Sequence, residues 1–146
     1  MIPSEQEKKY EIKPVHDILY VDMRGSWSPE ETVEYVSEFK RLVSRYFARE
    51  WACVLNLKHL DMLISETQQI SAFKALNTWA YIKGMKSLAV IVGQDNRSHL
   101  LFQFEEILKG EQSFYKSVFH NEVEANHWLT DQGFSEKVLL QSQKTA

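Results

Sequence analysis

Hydrophobic and polar positions alternate from Tyr10 to Val15, break at His16-Asp17, and resume along Ile18-Leu19-Tyr20-Val21-Asp22-Met23. That period of two on either side of a short break predicts a β-hairpin. Pro14 fits an edge position, because it has no N–H to give to a ladder. Gly25-Ser26-Trp27 interrupts the pattern, and Ser28-Pro29-Glu30-Glu31 then supplies an N-cap, a proline at the first helical position and a capping-box glutamate. Val33, Val36, Phe39, Leu42, Val43 and Tyr46 follow at helical spacing. Acids crowd the first half of this helix (Glu30, Glu31, Glu34, Glu38) and bases the second (Lys40, Arg41, Arg45, Arg49), which complements the helix dipole without a functional cause.

Trp51-Ala52-Cys53-Val54-Leu55-Asn56-Leu57 reads as a strand buried on both faces. Ser65-Glu66-Thr67-Gln68 reads as an N-cap with a capping-box glutamine, opening a helix whose apolar positions are Ile70, Phe73, Leu76 and Trp79. Gly84 suits its left-handed stop. Leu88 to Val92 is a short apolar run closed by Gly93, as a central strand would be. Leu100, Leu101, Phe104, Ile107 and Leu108 make a third helical stripe, Phe114 to Phe119 a last strand, and Asn121 with Glu124 the cap of a helix carrying Val123, Ala125, Trp128 and Leu129. The order β-β-α-β-α-β-α-β-α implies an α/β fold: a mixed, largely parallel β-sheet with an N-terminal β-hairpin and four helices, joined by right-handed crossovers. One domain is expected over residues 8–134, with 135–146 as a C-terminal tail.

Composition narrows the function classes. With 146 residues and 44% hydrophobic positions, the chain is long enough for a core that needs no staples. A net charge of −3 and a pI near 6.0 leave no overall positive field, so neither nucleic acid nor an anionic membrane surface is an expected partner. No run approaches the roughly 18 apolar residues of a membrane span, and the polar start Met1-Ile2-Pro3-Ser4-Glu5 lacks the apolar stretch of a secretory signal, so a cytoplasmic location is expected. Cys53 is the single cysteine, which excludes an internal disulfide.

Val54-Leu55-Asn56-Leu57-Lys58-His59-Leu60-Asp61-Met62-Leu63-Ile64-Ser65 resembles the segment of anti-sigma-factor antagonists that leads into their regulatory serine. Those proteins form the STAS family. The closing Glu122-Val123-Glu124-Ala125-Asn126-His127-Trp128-Leu129 is similar to the last helix of its SpoIIAA-like branch. The resemblance implies a SpoIIAA-like fold and a non-enzymatic regulatory or protein-interaction module, with Ser65 on the position that a partner kinase phosphorylates. The family's motif there is Asp-Ser-x-Gly, whereas this chain has Ile64 before the serine and Thr67 in place of the glycine.

In parallel α/β sheets, sites gather outside the carboxyl ends of the strands. That rule selects Ser26 and Trp27 after the second strand, His59, Asp61 and Ser65 after the third, Asn96, Arg97 and His99 after the fourth, and His120 after the fifth. Several helix N-termini there would favour an anionic or polar ligand group. Ser65 is either a plain N-cap or a phosphoacceptor, and Trp27 either staples its helix or covers a groove. His59 with Asp61 has the composition of an oriented imidazole, but no nucleophile accompanies it, so no catalytic residue is assigned. The five histidines and one cysteine offer no ligand pair at short spacing; no metal and no cofactor are expected. The expected partner is a protein; the alternative is a small apolar or amphipathic ligand between sheet and helices near Trp79, Phe104 and Phe119. A homo-oligomer is compatible with either.

Overall fold

The computed structural model describes residues 8–62, 67–93, 107 and 114–134. Strands β1 (Tyr10–Val15) and β2 (Ile18–Ser26) form the hairpin. After them come α1 (Pro29–Tyr46), β3 (Trp51–Met62), α2 (Thr67–Ile82), β4 (Met85–Ile91), β5 (Tyr115–Phe119) and α3 (Glu122–Asp131). The five strands lie in sequence order, β1-β2-β3-β4-β5, with β1 antiparallel to β2 and every other pair parallel. Pro14 sits on edge strand β1, where its missing N–H costs no ladder bond. The hairpin turns at His16, which adopts φ 55°.

Three helices stand among the described residues, not the four expected. The remaining stripe, Leu100 to Leu108, lies outside them apart from Ile107, which is buried against the sheet's main core. The tail 135–146 also lies outside. No helix among the described residues is long and apolar enough to cross a membrane.

Successive parallel strands step across the sheet in one direction, so crossovers of one hand bring their helices to one face. Leu19, Val21 and Met23 of β2, Cys53, Leu55 and Leu57 of β3, and Leu88 and Val90 of β4 share a core with Phe39 and Val43 of α1 and Phe73 and Leu76 of α2. The alternate residues Ile18, Ala52, Val54, Ala89 and Ile91 meet Ala125 and Leu129 of α3 on the opposite face. The alanines at two of these positions let the short helix approach closely.

Local chemistry sets the element ends. Ser28 accepts from the Glu31 N–H at 3.2 Å while the Glu31 carboxylate accepts from the Ser28 N–H at 2.7 Å, completing the expected capping box. Asn121 caps α3 by accepting from the Glu124 N–H at 2.9 Å. Gly84 ends the turn after α2 at φ +108°, and a Cβ there would lie 3.2 Å from the Arg49 carbonyl. Its own carbonyl accepts from the Trp51 N–H at 3.1 Å, so glycine fixes how α2 hands the chain to β4 beside the start of β3. Trp51 is fully buried there, stacked on Phe47 at 5.2 Å, with its indole N–H on the Lys83 carbonyl.

Candidate functional site

The carboxyl ends of the strands are not level. β3 is twelve residues long, and its pairing with β4 ends at Asn56 opposite Ile91. Beyond that point, among the described residues, β3 pairs only with β2, Arg24 facing His59 and Ser26 facing Met62, so a two-stranded end projects past the described rest of the sheet. The expected strand stopped at Leu57, and the true one runs five residues further.

A register shift between Asp22 and Arg24 marks a bulge in β3, where Asn56 accepts from the Lys58 N–H at 3.1 Å. A bulge inserts one residue and re-aims those after it. Leu57 and Leu60 therefore both reach the core, while Lys58, His59 and Asp61 are exposed. His59 and Asp61 flank Leu60 and point away from the core, and no hydrogen bond or ion pair joins them. The imidazole is not oriented by Asp61. Ser65, Asn96, Arg97 and His99 lie outside the described residues, so how they stand relative to His59 and Asp61 is not part of the described geometry. His120 is exposed just after β5, two strands away from β3.

Trp27 belongs to the core, at 6% exposure. Its indole N–H donates to the Arg24 carbonyl at 2.9 Å, and its ring lies 5.2 to 6.3 Å from those of Tyr10, Tyr35 and Phe73. It anchors the entry to α1 and covers no groove. Tyr10 beside it donates to Glu34 at 3.3 Å, and burial together with the Glu34 charge pushes its phenol up to about 12.

The N-termini of α1 and α3 do not favour an anion. At α1 the cap is satisfied internally and Glu30 and Glu31 stand in the first turn; at α3 Glu122 and Glu124 do. Burial opposes the Glu31 charge, but the Ser28 N–H and Lys9 outweigh it and hold this carboxyl below its usual range. Lys9 also donates to the Ser26 carbonyl, tying the lead into β1 to this corner.

The residues named for an apolar ligand do not share one layer. Trp79 packs on the α1–α2 side and Phe119 on the α3 side, so the sheet separates two of its three named residues, and Phe104 lies outside the described ones. Among the described residues, the void between the sheet and the α1–α2 layer, bounded by Tyr35, Phe39, Cys53, Phe73 and Ile107, holds about 20 Å³. That is room for about one water, far below the roughly 300 Å³ at which ligand pockets begin. Cys53 is sealed within this layer, and burial raises its thiol pKa well above the ordinary value.

No family model matches the chain, and no curated protein matches it. Among solved structures it is similar to an uncharacterised protein of the DUF3478 family with a SpoIIAA-like fold from Shewanella loihica PV-4. The TM-score is 0.59, the likeness covers 82% of this chain and 91% of that one, and 14% of aligned residues are identical. The chain has a SpoIIAA-like fold. At that identity the SpoIIAA-like likeness fixes strand order and helix placement and carries no residue's role across. The bulged β2–β3 end is a feature of this chain's own geometry.

Proposed function

We propose that the chain is a non-enzymatic regulatory or protein-interaction module of the STAS type, and that the projecting β2–β3 end is where a protein partner docks. The observation that supports this is the bulge in β3, which keeps Leu57 and Leu60 in the core while setting Lys58, His59 and Asp61 outside it. Bulges recur beside functional sites because they re-aim side chains at little cost to the sheet. The strand then leads directly toward Ser65 and α2, the element that the STAS resemblance would present to a partner. A site on a scaffold held this firmly needs little reordering on binding.

Site-specific photo-crosslinking in the native host tests this. A crosslinking residue at position 59 should give one discrete protein adduct, and the same residue at Val33, exposed on α1, should give none. No adduct at 59, or the same adducts from both positions, would contradict the reading.

A further inference from the structure

Because α3 is short, it seals only part of its face of the sheet. Beside it a cavity of about 270 Å³ spans β1, β2 and β3, with Glu122 of α3 at its border. The ladder accounts for its lining. Glu11 faces Asp22, which faces Asn56; in the next row on the same face Lys13 faces Tyr20, which faces Val54. The two rows are about 6.7 Å apart, two residues of strand rise.

Stability does not explain the first row. Like charges directly opposite on a strand pair are destabilising, and Glu11 and Asp22 are such a pair. Asp22 Oδ1 is out of contact with water and has no hydrogen-bond partner, although the side chain as a whole is 34% exposed, and Arg24 lies 3.9 Å from its other oxygen. A carboxylate oxygen withdrawn from water without a donor is costly. Among the described residues, Glu11, Lys13 and Glu122 join no ion pair. No group of three His, Cys, Asp or Glu side chains among them has the arrangement of a metal site either.

We propose that this cavity binds a small organic cation, a guanidinium or primary ammonium compound with a short apolar tail. Its N–H groups complete the Glu11–Asp22 row, matching a fork of donors to a pair of carboxylates. Tyr20 and Val54 form the floor under the tail, and the Tyr20 hydroxyl is held by Asn126 of α3 at 3.1 Å. Lys13 in the second row repels a second positive charge, which confines the ligand to one. The cavity borders the β3 bulge at Asp22 and Asn56 but includes none of Lys58, His59 and Asp61, so each assignment can fail without the other.

The test is a titration of the isotope-labelled protein with n-butylguanidinium at low salt, followed by amide NMR, with neutral n-butylurea as the shape-matched control. Saturable shifts at Glu11, Asp22 and Asn56 are expected, with binding at least tenfold weaker for the urea and for Asp22→Asn, and unchanged for Glu50→Gln on the remote loop before β3. Shifts that never saturate, an equal response to the urea, or full binding by a folded Asp22→Asn would overturn the proposal. So would a blocked Gly-Arg-Gly peptide that bound more tightly than n-butylguanidinium, which would make the site a receptor for a partner's arginine.

Discussion

On the face that carries α1 and α2, sheet residues from β2, β3 and β4 meet a continuous layer of rings, Trp27, Tyr35, Phe39 and Phe73 among them; on the other face α3 seals Ile18, Ala52, Val54, Ala89 and Ile91 and leaves the Glu11–Asp22–Asn56 row open. One sheet thus serves two purposes, because strand side chains alternate faces and each face can be selected separately. The crossover face holds the fold together. The far face and the projecting β2–β3 end are free to vary in chemistry at small cost in stability, which is where recognition can be placed.

The sharpest way to break this comparison is a charge in the shared centre. Val90 is 1% exposed on β4, with Leu55 and Val118 beside it in register. Val90→Asp should abolish folding, since an unpaired buried carboxylate costs several kcal/mol, about as much as a domain's whole stability. A soluble variant with an unchanged thermal transition would refute the placement. Next in size, Leu129→Ala should cost about 2–3 kcal/mol. Amide exchange should rise in α3 first, with the α1–α2 layer still protected; uniform loss across both faces would deny that they are separable.

Smaller effects sharpen the picture at the edges. Ser28→Ala removes the cap of α1 and should cost about 1 kcal/mol by denaturant melting. Glu31, whose carboxyl is held below its usual range, contributes stability that is present above the carboxylate's unfolded pKa and lost as pH falls through the folded one. The Ser28→Ala deficit should therefore shrink in acid. Tyr10 runs the other way, its phenol raised to about 12, so the stability it contributes is complete below about pH 10 and lost as pH climbs toward 12. Spectroscopic titration of tyrosinate should show this lag. Smallest of all, Glu11→Gln should be neutral or stabilising by a few tenths of a kcal/mol, because it removes a like-charge pair. A clear loss of stability would mean that the open row is structural.

Where a signal was local, the residues announced the structure. The Ser28 box needs only four residues, the Gly84 stop needs one special φ, and β4 needs an apolar run bounded by a glycine. Features that depend on two strands at once were hidden. The β3 bulge looks like the end of a strand, because Lys58-His59-Leu60-Asp61 breaks the alternation unless the pairing with β2 is known. Alternation predicted the hairpin, but only the register of β1, β2 and β3 puts Glu11 opposite Asp22 and Asn56 in one row. The same parity separates Trp79 from Phe119, which linear spacing grouped together. Of the rim residues chosen by the carboxyl-end rule, His59 and Asp61 stand exposed on the projecting end, and Trp27 went to the core because its ring fits among three others.

The division between a stabilising face and a recognition end is tested most directly by one triple variant, Lys58→Ala, His59→Ala and Asp61→Ala, carrying the photo-crosslinking residue at Arg24, which is exposed on β2 opposite His59. Three exposed side chains outside the core should leave the melting temperature within about 2 °C of wild type, while the partner adduct expected from position 24 of the otherwise unaltered chain disappears. An undiminished adduct, or a melting temperature lowered by more than about 5 °C, would contradict the account.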